Sequence, residues 1–193
     1  MHDTALITGK AFFECYGFPN CRILDVGSQD VNGSLRQFAP QWSEYVGVDL
    51  QAGPGVDVVL DDPYHLPFED SYFDFVVSTS CLEHDQFFWL SFLEMVRVTS
   101  AYIYISAPSD GKVHRFPVDC WRFYPDAAQA LAKWARHNNH VLSVQETFYM
   151  FPLKDVWTDN VMVFSKGVPT LRKAITQYLA EVYGAKQAQI QSE

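Results

Sequence analysis

Apolar residues recur along the chain in short runs bounded by turn residues. "RILDV" (22–26), "EYVGVDL" (44–50), "VDVVL" (56–60), "YFDFVVSTS" (72–80) and "AYIYISAP" (101–108) are rich in β-branched and aromatic residues, which predicts buried strands. Other stretches carry the helical period: "GSLRQFA" between the first two runs, "QFFWLSFLEMVRV" (86–98) before the fifth, and the closing "TLRKAITQYLAEVYG". "PDAAQALAKWARH" opens with proline where a first helical turn tolerates it and continues as a helix. "ALITGKAFFECYGF" is ambiguous and is read as a short helix packing on the sheet.

Strands alternating with helices predict a parallel sheet covered on both faces. "HVLSVQETFYM" and "DNVMVFSK" are two further strands with no helical pattern between them, so a late hairpin and one antiparallel strand are expected. One link is short for a parallel crossover, because only "LQAGPG" and its neighbours separate "VGVD" from "VDVVL". The Gly-Pro-Gly turn must replace the usual helix, or the register differs. Residues 109–124, "SDGKVHRFPVDCWRFY", have no clean period and are expected to leave the sheet. With no repeat or long linker, residues 1–193 read as a single domain carrying that insert.

Composition narrows the classes. Hydrophobic residues make up 48% and charged residues 19%, which suits a globular chain and excludes disorder. The formal charge of −9, without a block of lysine or arginine, weighs against a nucleic-acid partner, whose phosphates demand cations. No apolar run reaches membrane-spanning length, and "MHDTALITGK" lacks the basic and apolar regions of a secretory signal, so a cytoplasmic location is expected. The four cysteines form no CxxC pair and have no histidines at zinc-like spacing, so no metal is expected. Nothing in the sequence speaks to the oligomeric state.

The polar residues collect where the predicted strands end. Asp25 and Gly27 close the first strand in "LDVGSQDVNG", Asp49 closes the second, Asp61 and Asp62 follow the third, and Ser78, Thr79 and Ser80 the fourth. Ligands of open α/β sheets bind beyond those carboxyl ends. The dinucleotide fingerprint G-x-G-x-x-G is broken after Gly27, where the chain reads Ser28, Gln29, Asp30, Val31, Asn32, and two carboxylates would face a pyrophosphate. A cationic ligand without phosphates fits better, and S-adenosylmethionine has that character.

"ILDVGSQDVNG", "VGVDL", "DDPYHLPFEDSYFDFVVSTSCLEH" and "LEMVRV", in this order and spacing over about residues 22–108, resemble the class I S-adenosylmethionine-dependent methyltransferases, in particular the type 11 group. The resemblance implies an α/β, Rossmann-like, doubly wound fold with a mostly parallel seven-stranded sheet whose last strand is antiparallel. It implies that Asp25, Gly27 and the backbone around Ser28 hold the methionine end of the cofactor. Asp49 would bind the ribose hydroxyls and Leu50 would pack on the adenine. Asp62, four residues before "LPF", would meet the adenine amino group, with Asp61 as the competing choice; Ser78 belongs to the same cofactor set. Two positions depart from the pattern: Gln29 stands where a second glycine is usual, and Pro63 has no N–H for the adenine.

"HRFPVDCWRFYPDA" (114–127) resembles a segment H-x-[YF]-P-x-D-x-W-R-F-x-P of bacterial methyltransferases of this type associated with sugar or polysaccharide pathways. That resemblance points to a small-molecule or carbohydrate acceptor, with Trp121 and Arg122 as substrate-binding residues and the insert covering the substrate. The other reading makes the segment structural, with Arg122 paired to Asp119 and Trp121 in the core. Methyl transfer needs alignment above all; if the acceptor is a hydroxyl, His84 or His114, with Asp119 third, could act as general base. The aromatics at 87–89 and 123–124 line a pocket or belong to the core. A non-catalytic binding or scaffold protein on the same fold is the alternative function, and a nicotinamide oxidoreductase is disfavoured by the broken fingerprint.

Overall fold

The computed structural model describes residues 3–152, 154, 156–167, 173–184 and 188–189. Its first helix, α1, is Asp3–Tyr16. The strands are β1 (Arg22–Val26), β2 (Glu44–Asp49), β3 (Val58–Val59), β4 (Phe73–Thr79), β5 (Thr99–Pro108), β6 (Ser143–Met150), β7 (Asp159–Ser165) and β8 (Ala188–Gln189), with helices α2 (Phe88–Val98), α3 (Asp126–His137) and α4 (Ile175–Tyr183). They form one sheet in the order β3-β2-β1-β4-β5-β7-β6-β8. The first five neighbours pair in parallel. β7 inserts between β5 and β6 and is antiparallel to both.

The seven-stranded, mostly parallel sheet with an antiparallel last strand is therefore present, and two residues of β8 extend it along the edge of β6. The near-continuous apolar runs of β4, β5 and β7 follow from their central place, where both faces are covered. On one face α2 and α3 bury Phe92, Met95, Leu131 and Ala132 against Val76, Ile103 and Phe164. On the other, α1 and α4 bury Phe12, Tyr16 and Ile175 against Ile23, Phe75 and Tyr104. α1 is further tied to the sheet by Thr8 Oγ1 and Tyr104 Oη, 2.7 Å apart.

Three expectations change. "GSLRQFA" forms only a 3-10 turn, Leu35–Phe38, capped by Ser34 and stopped before Pro40. "VDVVL" pairs through two residues alone. Of the closing segment, residues 170–172 lie outside the described residues, and the helix begins at Ile175.

The short link from β2 to β3 does make a parallel crossover without a helix. Asp57 N donates to Gly47 O (2.8 Å) and Leu60 N to Asp49 O (2.8 Å), continuing the ladder on either side of the Gly-Pro-Gly turn. The Arg36 guanidinium donates to Tyr45 O (3.1 Å) and Gly55 O (3.3 Å) and pairs with the Asp57 carboxylate. One side chain from the preceding turn thus supplies the partners that a crossover helix would otherwise provide.

Candidate active site

Between β1 and β4 the chain reverses its direction of travel across the sheet, and a crevice opens there at the carboxyl ends of the strands. A cleft of about 720 Å³ occupies it, within the range of small-ligand sites. Its wall carries three carboxylates, Asp25, Asp49 and Asp85, against a single guanidinium, Arg115.

Asp25 ends β1 almost completely buried, at 2% exposure. Burial pushes its carboxyl up to about 6, against the lowering by the Tyr45 hydroxyl that donates to it (2.7 Å) and by Arg36, and with Asp49 adding a raising contribution. Gly27 then turns the chain with φ +80, in the left-handed region, and a Cβ there would lie 2.4 Å from Cys81 Sγ. Gly27 N and Ser28 N both donate to Val48 O, at 2.9 and 3.1 Å, which folds the loop over the tip of β2. Asp49 accepts from Gln29 N (3.1 Å) and Gln51 N (3.3 Å). Two backbone donors from different loops therefore orient its carboxylate, and Gln29 contributes through its backbone despite departing from glycine.

The buried hydroxyls of Ser28 and Ser80, both on the cleft wall, meet no hydrogen-bond partner among the described residues. Ser78 is elsewhere: its hydroxyl donates to Val26 O (2.9 Å), tying β4 to β1. Thr79 and Ser80, the latter at φ +48, line the cleft instead. Leu50 is on the wall. Asp61 and Asp62 are exposed and off it, with Asp62 Oδ1 accepting from Tyr64 N (2.8 Å) in a turn; the next two residues, Pro63 and Tyr64, line the cleft.

The far side of the cleft is built by the loop after β4 and by the 109–125 excursion. Cys120 N (2.7 Å) and Trp121 N (3.3 Å) donate to Glu83 O, while His84 Nδ1 lies 2.5 Å from Val118 O. A carbonyl only accepts, so Nδ1 carries the proton and Nε2 of the neutral ring presents a lone pair. The His84 and His114 rings meet edge to face, with centroids 4.8 Å apart. Burial, followed by the neighbouring His84, holds His114 below the usual imidazole range. Glu83 has no exposure, and burial pushes its carboxyl up to about 8. Glu83 was not anticipated from the sequence: it becomes visible only once the fold shows what surrounds it.

Asp119 and Arg122 follow the structural reading of the segment, whereas Trp121 is neither in the core nor on the cleft wall. Both Asp119 oxygens are taken by Arg122, at 2.5 and 2.9 Å, and Oδ2 also accepts from His114 N (2.7 Å). The hydrogen bonds from Arg122 hold this carboxyl far below the ordinary range, which removes its value as a base near neutrality. Trp121 donates from Nε1 to Asp85 O (2.8 Å) and packs on Phe88 and Trp89, and neither it nor Arg122 is on the cleft wall. The insert presents residues 114–118 to the cleft, braced from behind by the Asp119–Arg122 pair.

That brace is testable. Asp119 is 2% exposed and Arg122 21%, so Arg122→Met leaves a carboxylate without its main partner. A loss of about 2 kcal/mol is expected, less than for a deep pair because the site is near the surface, or a fall of roughly 4–8 °C in Tm. New proteolytic cleavage within 110–118 accompanies it. An unchanged Tm and cleavage pattern would show that the insert is held by other contacts.

The strand order, the antiparallel β7 and the cleft at the switch point define the fold of the class I S-adenosylmethionine-dependent methyltransferases. Residues 24–102 match the family model described as a methyltransferase domain, so this segment is similar to the type 11 methyltransferases. Among solved structures, the Burkholderia thailandensis 1,6-didemethyltoxoflavin-N1-methyltransferase, bound to 1,6-didemethyltoxoflavin and S-adenosylhomocysteine, superposes with a TM-score of 0.67 at 18% identity, covering 86% of this chain and 80% of that one. A Methanosarcina mazei S-adenosylmethionine-dependent methyltransferase gives 0.55 at 14% identity, covering 78% and 94%. The [4+2]-cyclase SpnF gives 0.60 at 12% identity, covering 83% and 81%. These identities establish the fold alone. No curated protein matches the chain.

Proposed function

We propose that the protein is an S-adenosylmethionine-dependent methyltransferase acting on a small-molecule or carbohydrate acceptor held between the strand tips and residues 114–118. The observation that carries this reading is the acidic cleft wall at the switch point, three carboxylates to one guanidinium, together with the unpartnered hydroxyls of Ser28 and Ser80. A cation suits such a wall and a pyrophosphate does not. When bound, the cofactor supplies a methyl group on a sulfonium centre open to an aligned nucleophile.

Each element has a part. Asp25 pairs with the ammonium of the cofactor's amino-acid end, Gly27 and Ser28 let the backbone approach it, and Asp49 accepts the ribose hydroxyls. Leu50, Pro63 and Tyr64 sandwich the adenine, in place of a contact from Asp61 or Asp62. His84 and His114 meet the acceptor's heteroatom, while Asp119 and Arg122 position the segment that bears His114. Residues 1–193 then act as one methyltransferase domain with a substrate-side insert at about 109–124. The four free cysteines accord with a cytoplasmic setting, and among the described residues no helix is long and apolar enough to cross a membrane.

Calorimetric titration with S-adenosylmethionine, S-adenosylhomocysteine and NAD tests the reading. Binding of both adenosyl ligands but not NAD is expected, and failure of both to bind would withdraw it. Binding without methylated product from any sugar or small-molecule acceptor would favour the scaffold alternative.

The pH dependence has a definite sign. Asp25 keeps its proton up to about pH 6 in the folded protein but releases it near 3.8 when unfolded, so its contribution to stability is full below about 3.8 and is lost as pH rises through about 6. A cationic ligand needs the ionised form. Affinity for S-adenosylhomocysteine should therefore rise as pH increases through about 6 while this part of the ligand-free stability falls. Asp25→Asn should flatten both trends, measured by calorimetry and thermal melts between about pH 5 and about pH 8. Parallel trends in the two quantities would exclude Asp25 as the ammonium partner.

A further inference from the structure

We propose that Glu83, His84 and His114 bind a divalent first-row transition ion, whose open coordination positions face the cleft and take an oxygen or nitrogen of the acceptor. One donor atom from each residue lies within 4.8 Å of the others. The set is two imidazoles and one carboxylate, which suits zinc and its first-row neighbours and leaves room for an exogenous ligand.

Glu83 is the observation that asks for such an occupant. It is fully buried, yet neither carboxylate oxygen meets a hydrogen-bond partner among the described residues. A buried carboxylate with no such partner is costly, and native structures resolve it with a cation or an equivalent group. His84 Nε2 stands 3.6 Å from Glu83 Oε1, close to the separation of about 3.4 Å between two ligands on a tetrahedral zinc. The third donor needs to draw in by at most about 1.4 Å, within the reach of a side-chain rotation.

The His84 ring is already oriented as a ligand is, and a carboxylate stands close to the His114 ring. His84 is held through Nδ1 by Val118 O, which leaves Nε2 for the ion. Behind His114 stands Asp119, with Oδ2 3.4 Å from Nδ1, and Asp119 is fixed in turn by Arg122. A carbonyl bonded to one ring and a carboxylate 3.4 Å from the other resemble the outer shell that metal-binding histidines ordinarily have. His84 and His114 line the cleft whereas Glu83 lies behind it, so an ion bound by all three is open on the cleft side. There it would bind and polarise an acceptor heteroatom, which selects acceptors able to ligate through oxygen or nitrogen. This last step rests on the methyltransferase reading; the metal site itself does not.

The test is titration of the full chain with Co²⁺ followed by visible absorption, with Zn²⁺ as competitor. One equivalent is expected to give d–d bands without thiolate charge-transfer bands, and Zn²⁺ should displace it. Glu83→Gln, which keeps the buried shape, and the half-buried His114→Ala should each weaken binding by at least about a hundredfold, and Asp119→Asn by about tenfold. Full affinity in the first two variants, absence of saturable binding, or thiolate bands pointing to Cys81 or Cys120 would each overturn the site. S-adenosylhomocysteine titrated into the same preparations separates the two readings. Its binding without Co²⁺ binding sinks the metal site alone, whereas Co²⁺ binding without it upholds the metal site and sinks the methyltransferase reading.

Discussion

Asp49→Ala is expected to lower affinity for S-adenosylhomocysteine about a hundredfold, or roughly 2.7 kcal/mol. The carboxylate is held from behind by Gln29 N and Gln51 N, so its remaining lone pairs point into the cleft without further ordering. Two charge-assisted bonds to vicinal hydroxyls, each worth about 1.5–3 kcal/mol before solvent competition, account for a loss of that size. Asp49→Asn keeps one acceptor and should lose only about tenfold. Because Asp49 is partly exposed, melting should change little, and calorimetric titration reads the effect directly. A loss of less than about threefold would place the ribose elsewhere.

Gly47→Ala is expected to destabilise the fold by about 3 kcal/mol, or roughly 6–12 °C in Tm. A Cβ at this position would lie 2.1 Å from Gly55 O and 2.6 Å from Ser28 Oγ. The first contact is backbone, and Gly55 is held by Arg36 as well as by its own turn, so neither side can move away cheaply. The same approach brings the Ser28 loop and the Gly-Pro-Gly link together over β2. Ligand affinity should therefore fall along with stability, unlike in Asp49→Ala, where the two are separated. Thermal melts and calorimetry on both variants check this contrast, and a fall in Tm of under about 2 °C would mean the link can shift without cost.

How much was legible depended on whether the signal was local. The strand tips illustrate it: Asp25, Gly27 and Asp49 stood out as acids and a glycine closing apolar runs, and the fold puts all three on the cleft wall. Ser78 had the same signature and is not there. Its hydroxyl is turned back to Val26 O, while the turn at Ser80 carries Thr79 and Ser80 to the wall. Asp61 and Asp62 had it too, yet Asp62 caps its own turn. Arg36 gave no signal at all, because its partners at 45, 55 and 57 are specified only once two strands lie side by side.

The sequence by itself determined the alternation of strands and helices, the late hairpin and the acidic character of the strand ends, because burial periodicity and charge type are properties of neighbouring residues. Tertiary structure alone decided which polar groups face the cleft. It chose the Asp119–Arg122 brace over a substrate-binding Arg122, and it brought His114 to Glu83 and His84 across about thirty intervening residues. Such a meeting depends on the backbone bonds between the 120 region and Glu83, and no local pattern encodes a distance between two loops.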